Sequence, residues 1–139
     1  MRALLLPGLN GPASVLEVDD SDLPDGDVDL EVAYSSLNYK DGLAVTGQGK
    51  IVRGEFPFVP GIDLAGTVTS SRDQRWAPGD RVVLTGWGTG ENRWGGYAEQ
   101  ARASADHLVR LPTGLGLEDA MWLGTAGLTA ALSVLALED

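Results

Sequence analysis

Asn38-Tyr39-Lys40-Asp41 places a carboxamide, a phenol, an ammonium and a carboxylate on four consecutive residues. A phenolic O–H can stabilise an oxygen that gains negative charge, or supply a proton, and an amide N–H can orient the same group. On spacing alone the competing reading of Tyr39 is a buried tyrosine bonded to backbone, and spacing favours it. Lys40 and Asp41 could tune or hold the reacting group, although neighbouring side chains on a helical turn diverge. Asp41 reads better as a cap or turn former.

Other polar residues are weaker candidates. Asp63, in Gly61-Ile62-Asp63-Leu64-Ala65-Gly66, is a carboxylate inside an apolar strand. It reads as structural, bonded to backbone or to an arginine such as Arg81. His107 is the only histidine and sits in an apolar strand context, so a Ser-His-Asp set is not available. The chain has no cysteine, which excludes disulfides and thiolate ligands, and a zinc site would need carboxylates almost exclusively. No metal is expected. Gly86-Trp87-Gly88-Thr89-Gly90 follows a strand but does not open a helix, so it fails as a phosphate loop, and no G-x-G-x-x-G follows a strand.

The elements that must position these residues are short strands divided by turns. Arg2–Leu6 reads as a strand closed by Pro7-Gly8 and the Asn10-Gly11-Pro12 turn, and Val15–Val18 as a second. After the acidic loop Asp19–Asp29, Val28–Ser35 alternates, with Val28, Leu30, Val32 and Tyr34 on one face. Leu37–Val45 loses the alternation and reads as a short helical turn, followed by a glycine-rich loop. Gly61–Ser70, Arg81–Thr85, Tyr97–Arg102 and His107–Leu111 complete the strands, with Gly61 and Gly66 as packing or bulge devices. From Leu117 the chain turns rich in Ala and Leu at helical spacing, and Gly124 and Gly127 either split this helix in two or allow close packing. Many strands followed by one helix predict a mainly β fold, a partly open β-barrel.

With 139 residues, one domain with a real core is expected. Twenty acidic residues against ten basic ones give a net charge of −10, which argues against nucleic acid as a partner. The N-terminus lacks a signal-peptide core, and no apolar stretch is expected to reach membrane-spanning length without polar interruption. A cytoplasmic protein without a membrane partner is expected.

Four segments in this order resemble the medium-chain dehydrogenase/reductase superfamily: Ser35–Asp41, Pro60–Val68, Pro78–Val82 and Gly124–Ala130. More narrowly they resemble its zinc-independent quinone-oxidoreductase-like branch, whose zinc-dependent relatives place a cysteine and a histidine where this chain has Asn38 and Ile62. Asn38–Gly54 and Leu84–Arg102 are similar to the acrylyl-CoA reductase group. The resemblance implies a GroES-like barrel over residues 1–116 that holds the substrate. Residues 117–139 would then be a connecting helix leading into a Rossmann domain that binds NADPH. On this reading Asp139 falls before the first Rossmann strand, and the chain holds the substrate half of an active site.

The implied activity is hydride reduction of the C=C bond of a 2-enoyl thioester such as acrylyl-CoA, without a metal. The same family admits a quinone or a free enone as substrate, and a non-enzymatic barrel module is a third reading. On the implied activity Tyr39 and Asn38 are catalytic, reversing the odds that spacing gave for Tyr39. Both also approach the cofactor, as do Thr125 and Thr129, whose hydroxyls could bond the nicotinamide or merely their own helix. Lys50 and Arg53 could meet coenzyme A phosphates or be solvated surface charges. Trp87, Arg93 and Trp94 could form a lip to the cleft or cover a barrel end. A homodimer is implied for the full-length protein. Met121, Trp122, Leu128, Leu132 and Leu135 are expected to be bare without a covering domain.

Overall fold

The computed structural model describes residues 1–9 and 11–138. The turn expected at Asn10-Gly11-Pro12 therefore lies partly outside the described residues, and Asp139 wholly so. Two antiparallel sheets form the wall. Strand β1 (Arg2–Leu5) pairs with β2 (Ser14–Glu17). The larger sheet has β3 (Val28–Ser35), β4 (Asp63–Ser71), β5 (Arg81–Thr85), β6 (Gln100–Ala103) and β7 (Val109–Arg110), in the order β6-β3-β4-β5-β7. Backbone bonds stitch the sheets together: Leu4 N donates to Tyr97 O at 2.8 Å, Glu99 N to Arg2 O at 3.0 Å, and Leu6 and Phe58 exchange bonds of 2.8 and 2.9 Å. The result is the expected mainly β, partly open barrel. Its core is formed by Val28, Leu30, Leu64, Val68, Val82 and Leu84.

The alternation read in β3 holds at its start, where Val28 and Leu30 are buried, and fades by Tyr34, which is exposed. The register against β4 slips between Val32 and Tyr34. Such a bulge bends a strand and re-aims its end, and here that end delivers Ser36–Asn38 to helix α1 (Tyr39–Val45). Strand β4 starts two residues later than expected. Gly61 has φ +105, and the space a Cβ would take is filled by the backbone nitrogens of Gly96 and Tyr97, each 2.9 Å away. The expected strand at His107–Leu111 shrinks to Val109–Arg110, because Ser104 caps a 3-10 turn at Ala105–His107.

Helix α2 (Leu117–Leu137) is broken at Gly124, with φ 47 and ψ −155. That region is open essentially to glycine alone. Before the break, Ala120 and Met121 dock on Ala65 and Leu111. Met121, expected to be bare, is only 7% exposed, because the helix begins against the barrel rather than beyond it. The rest of that expectation holds: Trp122, Leu128, Leu132 and Leu135 are exposed. By length and composition α2 is also apolar enough to cross a membrane, with a hydropathy of 1.7. This corrects the expectation that no stretch would qualify. The scattered Thr and Ser do not lower its mean enough.

Candidate active site

Asn38 has extended backbone (φ −112, ψ 162) and is the N-cap of α1. Asp41, in the first turn, accepts from Asn38 N at 2.8 Å through Oδ2 and from Ile62 N at 2.9 Å through Oδ1. The capping role expected of Asp41 is therefore present, and it also bolts α1 to the start of β4. A carboxylate in the first turn opposes the positive end of the helix dipole.

The Asn38 amide points inward. Its Nδ2 lies 2.9 Å from Ser36 Oγ, 3.0 Å from Asp63 Oδ2 and 3.2 Å from Asp41 Oδ2. Two protons serve three acceptors, so this donor is engaged within the protein. Asp63 is fully buried at 0% exposure, as the structural reading expected, but its partners differ from those expected. It accepts from Ser36 Oγ at 2.6 Å, Asn38 Nδ2, Thr125 N at 3.0 Å and Thr125 Oγ1 at 2.5 Å. Arg81 instead donates to Leu115 O at 2.6 Å. The Tyr97 hydroxyl completes the cluster by donating to Ser36 O at 3.0 Å. Burial, with Asp41 and Asp63 nearby, holds this phenol well above its ordinary range. Among the described residues, no buried side-chain polar atom lacks a partner.

Tyr39 differs from this closed network. It opens α1, is 85% exposed, and its hydroxyl bonds to none of the described residues. Lys40 is paired with Glu91 at 2.8 Å, tying α1 to the glycine loop. A cleft of about 430 Å³ opens beside Ser36 and Asn38 and is bounded across by Met121, Trp122 and Gly124. Thr125 lies beyond the kink with its hydroxyl hydrogen on Asp63, and Thr129 gives its own to Thr125 O at 2.7 Å. Each keeps lone pairs that can accept.

The residues considered for substrate contact lie apart from this cleft. Lys50 lines a small depression with Leu43 and Phe56. The Arg53 backbone N donates to Glu91 O at 2.7 Å. Trp87 stacks on His107, with ring centroids 4.7 Å apart, whereas Trp94 borders a separate cleft with Phe56 and Arg93. The tryptophans therefore do not share one lip, although Arg93 reaches back to Trp87 O at 2.5 Å. Sequence reasoning missed Ser36 and Tyr97. Ser36 had a readable signal, because residues two apart on extended backbone face the same side, as Ser36 and Asn38 do. Tyr97 had none, since it meets Ser36 only through folding.

The fit to nicotinamide chemistry rests on the donor set: an unspent phenol next in sequence to Asn38, which lines the cleft, and acceptor lone pairs on Thr125, between the cleft-lining Gly124 and Ala126, and on Thr129 one turn further on. Among the described residues, no group of three or more His, Asp or Glu side chains is arranged to hold a metal.

Comparison with known proteins agrees with this architecture. The chain is 59% identical over its whole length to a probable acrylyl-CoA reductase, AcuI, of Escherichia coli, covering 43% of that protein. It is 52% identical to the putative quinone oxidoreductase YhfP of Bacillus subtilis, with 90% of this chain and 38% of that protein aligned. The crystal structure of the Salmonella enterica yhdH oxidoreductase in complex with NADP superimposes on it with a TM-score of 0.95 at 57% identity, over 100% of this chain and 43% of that one. The chain thus spans less than half the length of these relatives. The family model for the alcohol dehydrogenase GroES-like domain matches residues 24–113. The partly open barrel, the matched model and these relatives agree: the chain belongs to the alcohol dehydrogenase GroES-like domain family.

Proposed function

We propose that the whole protein is an NADPH-dependent oxidoreductase that reduces the C=C bond of a 2-enoyl thioester such as acrylyl-CoA, without a metal. In this reading, residues 1–116 form the substrate barrel and 117–139 the connecting helix. The observation that carries it is Tyr39: an unspent, exposed phenol at the start of α1, next in sequence to Asn38, which lines a cleft bounded by the helix kink. The relatives named as acrylyl-CoA reductases support the substrate class, and the NADP complex of the similar Salmonella enterica protein supports the cofactor.

The residues of the connecting helix would face NADPH, which when bound would supply a hydride for the β-carbon and leave as NADP⁺. The Tyr39 O–H then serves the enolate oxygen, or returns a proton to the α-carbon. Asn38, with its N–H groups held inward, sets the backbone from which Tyr39 projects. Thr125 and Thr129 offer oxygens to the carboxamide N–H. Lys50 and Arg53 meet the coenzyme A phosphates, with Trp94 rather than Trp87 alongside, since the two tryptophans border different surfaces. Metal-free chemistry fits a chain with no cysteine and with Asn38 and Ile62 where zinc-dependent relatives carry their ligands. A homodimer in the cytoplasm completes the proposal.

A quinone or free enone is the second reading, favoured by the resemblance to YhfP. Assaying the full-length gene product with NADPH against acrylyl-CoA, crotonyl-CoA and a quinone separates the two. The thioesters should give the higher kcat/KM, and a preference for quinone would overturn the coenzyme A assignment.

A further inference from the structure

We infer that Asp63 is a positioning residue: a buried carboxylate that sets the active-site turn in register with the helix segment beyond Gly124. Its catalytic consequence rests on the reading of Tyr39 given above. Three facts carry the inference. Asp63 Oδ2 collects Ser36 Oγ, Asn38 Nδ2 and Thr125 N, and Oδ1 takes Thr125 Oγ1. One side chain thereby joins the end of β3, the cap of α1 and the second half of α2. Among the described residues, no lysine or arginine bonds to Asp63, so its donors belong to the parts being aligned. Removing such a charge unbinds all of them together.

The kink exists at the point where this contact needs it. A Cβ on Gly124 would sit 2.8 Å from Asp63 Oδ2, and the break turns Thr125 N out of the α-helical ladder toward the carboxylate. Thr125 thus begins a new helical segment, and a negative charge at a helix start is favourable. Beyond it, Leu128, Thr129, Leu132 and Leu135 are all exposed. Among the described residues, the two Thr125 bonds to Asp63 are the side-chain hydrogen bonds that tie residues 125–137 to the barrel. Tyr39 is set by Asn38, which shares the same Oδ2. The separation between the phenol and Thr129 is therefore set through one carboxylate. Misplacement of about 1 Å in such a pair costs on the order of 100-fold in rate.

The test is Asp63→Asn in the full-length protein, with Thr125→Val as a milder variant should the first fail to fold. Asp63→Asn should lower kcat by roughly 10- to 100-fold with KM for the thioester within about twofold, because the groups that bind the thioester are elsewhere. Thr125→Val should lower kcat less, and the two losses should combine to less than their sum in the double variant, since both remove the shared linkage while Thr125→Val also removes an oxygen offered to the carboxamide. Hydrogen exchange at the Thr125 amide should accelerate in Asp63→Asn, and Trp122 emission should shift as the kink loosens. A soluble, folded Asp63→Asn protein with either kcat or Thr125 exchange unchanged would overturn the inference, as would additive effects in the double variant. If the wild-type protein reduces no enoyl thioester, the substrate reading fails by itself. Thr125 exchange and Trp122 emission then decide the anchor independently, and their constancy would refute it.

Discussion

Asn38 Nδ2 lies 3.0 Å from Asp63 Oδ2 and 3.2 Å from Asp41 Oδ2, so one neutral amide stands between two buried carboxylates. Both acids are almost fully buried, at 0% and 1% exposure. An amide donor suits this place because it satisfies both oxygens without adding charge. The arrangement makes the site sensitive to what replaces Asn38.

Asn38→Asp would bring a third carboxylate into the cluster and remove its shared donor. Several kcal/mol of stability should be lost at pH 7, on the scale of an uncompensated buried charge of about 3–5 kcal/mol. The new carboxyl would have a folded-state pKa above its unfolded value, so the protonated form supports the fold and the deficit grows as pH rises. Urea unfolding at pH 5 and pH 7.5 should therefore show a smaller loss at the lower pH. An equal loss at both would refute the charge argument.

Gly124→Ala tests the kink. Its backbone, at φ 47 and ψ −155, is costly for any residue with a Cβ, and that Cβ would meet Asp63 Oδ2 at 2.8 Å. A destabilisation of about 1–3 kcal/mol is expected from backbone strain alone. Gly127→Ala, inside regular helix, should cost far less or stabilise slightly. Denaturant midpoints of the two variants give the comparison.

Arg102 and Asp29 provide a pH signature away from the site. Burial pushes the Asp29 carboxyl up, but hydrogen bonds from Ser70 and Arg102 outweigh it and hold it below its ordinary value of 3.8. With the folded-state value depressed, this pair adds stability above the ordinary carboxylate range and loses it as pH falls through the folded value. Arg102→Met should cost on the order of 0.5–1 kcal/mol at pH 7, given that the 2.6 Å pair is only partly shielded from solvent. The gap from wild type should close in acid below pH 3.8. Thermal unfolding from pH 3 to 7 would measure it, and a constant gap would mean that lost packing is the cause.

The bare face of α2 should drive self-association of the 139-residue chain. Trp122 is 79% exposed, and Leu128, Leu132 and Leu135 continue the apolar surface. Leu128→Gln with Leu132→Gln should shift the sedimentation coefficient toward monomer at high concentration without changing the barrel's unfolding midpoint. A wild-type chain that sediments as a clean monomer would count against this.

Much of the barrel was legible because its signals are local. Val28 and Leu30 alternate with polar neighbours, Pro78-Gly79-Asp80 marks the turn before β5, and the Ala- and Leu-rich run from Leu117 marks the helix. The cap at Asp41 was equally readable, because its partner is three residues away. Two of the misreadings came from residues distant in sequence, whereas the shortened strand at Val109–Arg110 came from the local cap at Ser104. Gly61 delays the start of β4 because Gly96 and Tyr97 occupy its space, and Met121 is buried by Ala65 and Leu111.

By itself, the sequence determined the residue types at the site, the strand and turn order that frames them, and the absence of thiolate chemistry. Only the tertiary structure decided how those residues are used. Asp63 is 25 residues from Asn38 and 62 from Thr125, so nothing local could show that one carboxylate holds both. The physical reason is that a buried charge must find its donors wherever the fold brings them. Here they come from the end of a bulged strand and from a helix broken at Gly124. Tyr39 is the converse case: one residue from Asn38 in sequence, it is exposed and its hydroxyl bonds to none of the described residues.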